Sequence, residues 1–213
     1  MAIEKPALIL ICGINGAGKT TFYYERVKPL LDKSGCEYPF VNADEIEEAK
    51  FPSEVGKHSL EMSKLAAEIR DQYLKARQSF VTETAFSHES KNQLVEDAQK
   101  AGFEVMLNHI HVSSAELAYK RVRDRVGSGG HGVHKDKIFS RYGLTVANIQ
   151  KASMVADRTY VWDNSRQSGH SGVICRFVMT MAKGKVTKLA DPIPDWAHEM
   201  YGYQIENLEN DND

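Results

Sequence analysis

Residues 13–20 read Gly13-Ile-Asn-Gly16-Ala-Gly18-Lys19-Thr20, and the six residues before them, Ala7–Cys12, form an unbroken apolar run. An apolar run this short, with no polar alternation, is the mark of a strand buried on both faces, which parallel sheets covered by helices provide. A glycine-rich turn directly after such a strand, followed by a residue pattern able to start a helix, is a strand–loop–helix unit. That unit dictates crossover connections and hence an α/β architecture.

The string is also the P-loop pattern of Gly, four residues, Gly, Lys, then Ser or Thr. Glycines let the backbone curl so that amides of Gly13, Asn15, Gly16, Ala17 and Gly18 face a common centre, where phosphate oxygens would sit. Lys19 then neutralises β and γ phosphates, the Thr20 hydroxyl takes a place on Mg²⁺, and Thr21, next in the helix start, is expected to bind the nucleotide as well. The N-terminus of that helix adds partial positive charge. A nucleoside triphosphate, ATP or GTP, is the ligand this asks for.

The rest of the chain repeats the alternation. Strands are expected at 39–42, 79–84, 103–112 and 159–162, with helices at 20–27 (stopped near Pro29), 57–78, 87–101, 113–126, 136–142 and 145–156. Residues 57–78 place Leu65, Ile69 and Tyr73 on one stripe. Ser113-Ser-Ala-Glu116 reads as a capping box. Gly127-Ser-Gly-Gly-His-Gly132 holds four glycines in six residues and reads as a mobile loop. Residues 173–180 and 185–189, around Lys183-Gly184, read as a hairpin, and the acidic tail 206–213 as frayed. The expectation is a P-loop NTPase fold: a five-stranded parallel sheet with helices on both faces, plus a small C-terminal β-hairpin. It forms one domain over 1–213, with its core at about 5–166 and the hairpin and tail in 167–213.

Composition removes several classes of function. Lys and Arg number 27 against 29 Asp and Glu, a formal charge of −2, so a chain built to coat nucleic acid is not expected. Cys12, Cys36 and Cys175 cannot all pair and have no zinc-site spacing. The opening apolar run falls far short of the about 20 residues that span a bilayer. A cytoplasmic protein without a membrane partner is expected.

In parallel sheets, ligands gather at the carboxyl ends of strands. Those ends deliver Asn42-Ala-Asp44-Glu45, Thr82-Glu83-Thr84 and Asp163-Asn164-Ser165. Asp44 is the candidate base for an acceptor hydroxyl, with capping of a helix from Glu45, Glu47 completing a capping box, as the alternative. Glu83 and Thr84 suit the acceptor, or, for Glu83, the water shell of magnesium. Asn164 is placed near the adenine. Arg121 and Arg125 share a helix face before the glycine loop, and Arg141 follows it; such arginines suit a lid on the phosphates. His109 and His111 read as satisfied histidines, His131 and His134 as lid contacts. No Asn-Lys-x-Asp string occurs, which argues against a GTPase.

Together these residues resemble the zeta toxin family of P-loop kinases, especially its small chromosomal members. The resemblance runs over about 5–166, through the cradle, Asn42-Ala-Asp44-Glu45, Thr82-Glu83-Thr84, Arg125-Val-x-x-Gly-Gly-His131-x-Val133, Ile138, Arg141, Asn148, Ala156-Asp157 and Asp163-Asn164-Ser165. It implies a kinase-type strand order, Mg²⁺ with ATP or GTP, and phosphorylation of a UDP-activated amino sugar such as UDP-N-acetylglucosamine. It makes Lys19 the phosphate lysine, Thr20 the magnesium hydroxyl, Asp44 the base, Glu83 an acceptor-site residue, and Arg125 with Arg141 the phosphate-binding pair. An antitoxin partner is a family association. Ala85 departs from the second threonine that many small members carry. The alternatives are a kinase for another hydroxyl (antibiotic, nucleoside or polynucleotide end) and a non-catalytic nucleotide-dependent binding module.

Overall fold

The computed structural model describes residues 5–127, 131–166 and 175–210. Among these, seven strands form one sheet in the order β2-β3-β1-β4-β5-β6-β7. The strands are β1 Ala7–Cys12, β2 Phe40–Val41, β3 Phe80–Thr84, β4 Glu104–His111, β5 Arg158–Asp163, β6 Arg176–Ala182 and β7 Lys185–Leu189. The first five are parallel, β6 pairs antiparallel with β5, and β7 pairs antiparallel with β6. The expected hairpin therefore does not stand apart: it extends the same sheet past β5, and turns at Lys183-Gly184, both at positive φ. Residue 173, where its first strand was expected to begin, lies outside the described residues.

β1 is central and wholly buried. Leu8, Leu10 and Cys12 face one apolar layer with Phe80, Leu107 and Ile149. Ile9 and Ile11 face the other with Phe22, Val27, Ile110 and Val122. Two covered faces explain why this strand shows no polar alternation.

The helices are α1 Lys19–Phe22, α2 Lys28–Ser34, α3 Ala43–Lys50, α4 Ser59–Ala76, α5 Ser90–Lys100, α6 Ala115–Gly127, α7 Lys135–Val155 and α8 Asp195–Asn210. Four expectations need correction. Pro29 does not stop the first helix, because a π-helical turn at Tyr23–Val27 precedes it and the Lys28 amide bonds back to Tyr23 O. That shift of the ladder lets the proline enter α2 at its first turn, where its missing N–H costs nothing. The two helices expected over 136–156 are one, α7, running through Gly143. Ser114, not Ser113, caps α6 by accepting from the Leu117 amide, since the Ser113 amide is held by Ser165 Oγ. Residues 206–210 are the end of α8, with 211–213 outside the described residues.

α8 buries Ala197, Met200, Tyr201 and Ile205 in the layer that also holds Leu8 and Leu10. Trp196 stacks on His111 at 3.7 Å between ring centroids. No helix among the described residues is long and apolar enough to cross a membrane.

Candidate functional site

The turn after β1 needs its glycines for two separate reasons. Gly16 and Gly18 stand at φ 85° and 89°, where a side chain is strained. A Cβ on Gly16 would also lie 2.3 Å from the Ala118 carbonyl oxygen, so α6 packs directly on the loop. The turn closes through Ala17 N–H to Ile14 O at 3.0 Å. Lys19, at 7% exposure, donates from Nζ to Ile14 O at 3.4 Å, which holds the ammonium against the loop. Asn164, expected near the adenine, lines the cleft over this turn, and its buried amide donates to Ala17 O at 2.7 Å. The tripeptide after β5 thus braces the cradle from behind, with Ser165 N–H donating to Asp163 Oδ1 at 2.9 Å.

A cleft of about 1520 Å³ opens over this turn. Asn15, Gly16, Gly18, Lys19, Thr20 and Thr21 line it, together with Asp44, Glu83, Thr84, Arg121, Arg125 and Arg141. Three strands with α6 and α7 have therefore delivered these side chains to one place.

Within it, Thr20 Oγ1 donates to Glu83 Oε2 at 2.8 Å. Burial pushes the Glu83 carboxyl up from its ordinary pKa, and the Lys19 charge and the Thr20 hydrogen bond pull it back. A hydroxyl and a carboxylate at the mouth of a phosphate cradle are hard oxygen donors, the set Mg²⁺ takes when phosphates supply its other ligands. The residues fit that ion. Glu83, expected at the acceptor by resemblance, is joined to the Thr20 hydroxyl.

Asp44 does not cap α3. The cap is Asn42, in extended backbone, whose Oδ1 accepts from the Asp44 amide at 2.9 Å. This leaves the Asp44 carboxylate in the first turn, facing the cleft, close enough that its charge raises the Glu83 pKa. Glu45 beside it accepts from the Tyr24 hydroxyl at 2.9 Å.

Residues 128–130 of the glycine loop lie outside the described residues. On its flanks, the Arg125 guanidinium donates twice to His131 O, at 3.1 and 2.7 Å. His131 Nε2 lies 3.6 Å from Glu47 Oε2. Glu47 is wholly buried and accepts from the His58 amide at 2.7 Å and the Ser59 hydroxyl at 3.1 Å. One carboxylate thus ties α3, the start of α4 and His131, the residue whose carbonyl holds Arg125 of α6. Arg121 donates to Arg166 O at 3.1 Å, and Arg141 lines the cleft.

Sequence reasoning missed Glu47, Arg70 and Lys91. Glu47 was visible only as a possible capping partner. Arg70 was hidden by a rotation of the stripe: α4 buries Met62, Ala66, Arg70 and Leu74, one residue on from the expected Leu65-Ile69-Tyr73. Among the described residues, no group of three or more His, Cys, Asp or Glu side chains could hold a metal by themselves. His109 and His111 are buried, as expected, and His109 pairs with the Tyr201 hydroxyl at 3.3 Å. Among the described residues His111 Nε2 has no hydrogen-bond partner, so only one of the two is satisfied there.

With this geometry in view, the profile of the family described as Zeta toxin matches residues 1–169. The chain belongs to the zeta toxin family. Its members are P-loop kinases, which makes this zeta-toxin-like chain a phosphotransferase with an alcohol group as acceptor. An uncharacterized protein of Haemophilus influenzae is 28% identical over 137 residues, 63% of this chain and 91% of that one. Solved structures share the fold at 16% identity. The complex of AvrRxo1-ORF1 with AvrRxo1-ORF2, with sulphate ions, superposes with TM-score 0.67 over 97% of this chain and 71% of that one. The same complex with ATP gives 0.65 over 92% and 64%. The PezAT chromosomal toxin–antitoxin system of Streptococcus pneumoniae gives 0.57 over 99% and 88%.

Proposed function

We propose that this zeta-toxin-like kinase transfers the γ-phosphoryl of ATP or GTP to a hydroxyl of a sugar nucleotide such as UDP-N-acetylglucosamine. The observation that carries the reading is the convergence on one cleft of Lys19, the Thr20–Glu83 pair and the uncapped Asp44 carboxylate. A neighbouring fold solved with ATP supports the donor.

The chemistry follows from the placement. Loop amides and Lys19 hold the β and γ phosphates, and Thr20 with Glu83 provides the place for Mg²⁺. Bound there, the ion would offset charge on the phosphate oxygens. Asp44 accepts a hydrogen bond from the acceptor hydroxyl and takes its proton as the oxygen forms its bond to Pγ. The bond from Pγ to the bridging oxygen breaks, and ADP leaves with that electron pair. Arg125 and Arg141 bind the phosphoryl oxygens as charge spreads over them. Closing the lid excludes water, which would otherwise compete with the acceptor.

We place the reaction in the cytoplasm, in one domain, under the control of an antitoxin protein; the toxin–antitoxin system among the similar folds supports the partner. The test is transfer from γ-labelled ATP to a panel holding UDP-N-acetylglucosamine, nucleosides, aminoglycosides and a 5′-hydroxyl oligonucleotide. Labelled sugar nucleotide is expected. Label in another member of the panel would replace the acceptor. Slow hydrolysis with no labelled product would favour a nucleotide-dependent binding module.

A further inference from the structure

Arg70 sits where a hydrocarbon is expected, between Ala66 and Leu74 in the buried stripe of α4, at 7% exposure. It lines the cleft, as do Ser63, Ser87 and Lys91. Among the described residues, no hydrogen bond or ion pair reaches its guanidinium; Asp71, next in sequence, supplies the one opposing charge that acts on it. Lys91, in the first turn of α5, likewise has no side-chain partner there, and no acidic residue shares that turn.

Both cations line the same cleft, burial lowers the pKa of each, and the Arg70 charge lowers that of Lys91 further. Two desolvated charges of one sign, without a counter-ion, are unfavourable unless an anion joins them. The planar guanidinium offers paired N–H donors that match phosphate oxygens, and the ammonium adds a point charge. Two cations together suit a dianionic phosphate or a diphosphate better than a singly charged carboxylate. The position is on the acceptor side of the cleft. α4 packs on α3, which carries Asp44, and Ser87 and Lys91 follow β3 just beyond Glu83 and Thr84.

We propose that Arg70 and Lys91 form an anion subsite that grips a phosphate or diphosphate group of the acceptor, so the substrate is a phosphorylated alcohol and not a neutral one. This rests on the kinase reading above, and sharpens it: the same sugar without its phosphate is a poor acceptor.

The test fills the cradle of the full chain with Mg²⁺ and a non-hydrolysable ATP analogue, then titrates inorganic pyrophosphate by calorimetry. Wild type should bind it, and Arg70→Gln and Lys91→Gln should each bind at least tenfold more weakly, with affinity for the analogue within twofold of wild type. No binding to wild type, or equal binding to all three proteins, overturns the proposal. Arg70-dependent binding of acetate at similar strength would overturn the assignment to phosphate. Arg70→Met removes the buried cation and keeps the hydrocarbon, so it should melt no lower than wild type; a lower melt in both Arg70 variants marks a structural role and counts against the site. Pyrophosphate binding that depends on Arg70, in a protein yielding no phosphorylated product from any acceptor, would leave the subsite standing and remove the kinase reading. Turnover of UDP-N-acetylglucosamine with an acceptor KM unmoved in both variants would do the reverse.

Discussion

The Thr20 hydroxyl donates to Glu83 Oε2 across 2.8 Å, joining the first turn of α1 to the end of β3. Sixty-three residues separate them in the chain, and the parallel pairing of β1 with β3 brings them together. The bond fixes the rotamer of the one hydroxyl in the cradle that a magnesium ion would use. It also places a carboxylate whose burial favours the protonated form next to Lys19, whose charge opposes that preference.

Glu83→Gln should therefore reduce turnover by about 10²-fold or more, the scale of losing one preorganised electrostatic group. Titrating Mg²⁺ at saturating ATP checks this, and a rightward shift of the magnesium curve is the expected sign. Unchanged magnesium dependence would detach Glu83 from the metal.

Stability should respond in the opposite direction. A carboxyl with a raised pKa in the fold binds its proton more tightly there than in the unfolded chain. Its contribution is present at low pH and is lost as pH rises from the ordinary carboxylate range through the folded pKa. Nucleotide-free Glu83→Gln should thus melt higher than wild type near neutral pH, with the gap closing as pH falls. Melting curves across pH 4–8, a range chosen to bracket ordinary carboxylate titration, check it.

Gly16→Ala should lose about 2 kcal/mol or more, from a side chain forced to positive φ and a Cβ driven against the Ala118 carbonyl. Denaturant unfolding gives the number. Because the loop must move off α6 to accommodate the methyl group, nucleotide affinity should fall with it.

Glu47→Ala should cost about 1–3 kcal/mol, because it removes the buried carboxylate that accepts from the His58 amide and the Ser59 hydroxyl. It also frees His131, whose carbonyl holds Arg125. The ATP KM should rise with the loss of stability, and steady-state kinetics below the melting range would separate the two effects.

Much of this site was legible because it is local. The residues of 13–20 carry their own geometry, and strand ends lie wherever apolar runs stop, so Asp44, Glu83 and Asn164 could be brought to one edge of the sheet from the sequence. What each side chain touches there was not legible. Whether Asn42 or Asp44 caps α3 depends on one backbone dihedral, since either can accept from a free amide. Asn164 was visible as a turn residue, but its reach back to Ala17 O depends on β5 lying beside β4, a contact between residues 147 apart. Arg70 was missed because a stripe read at four-residue spacing can rotate by one position without changing its apolar content. α8 was missed for a related reason: Trp196, Met200 and Tyr201 carry a helical pattern, yet no element was expected between the hairpin and residue 206, and the acidic end from 206 read as a frayed tail.

The central claim is that Asp44 handles the acceptor while the loop around Lys19 handles the nucleotide, and a comparison of two variants in one assay tests it. ATP affinity by calorimetry and γ-phosphoryl transfer to the acceptor would be measured for Asp44→Ala and Lys19→Ala. The account predicts that Asp44→Ala loses transfer by at least about 10²-fold with ATP affinity within twofold of wild type, whereas Lys19→Ala loses both. Wild-type transfer by Asp44→Ala, or wild-type ATP affinity in Lys19→Ala, would contradict it.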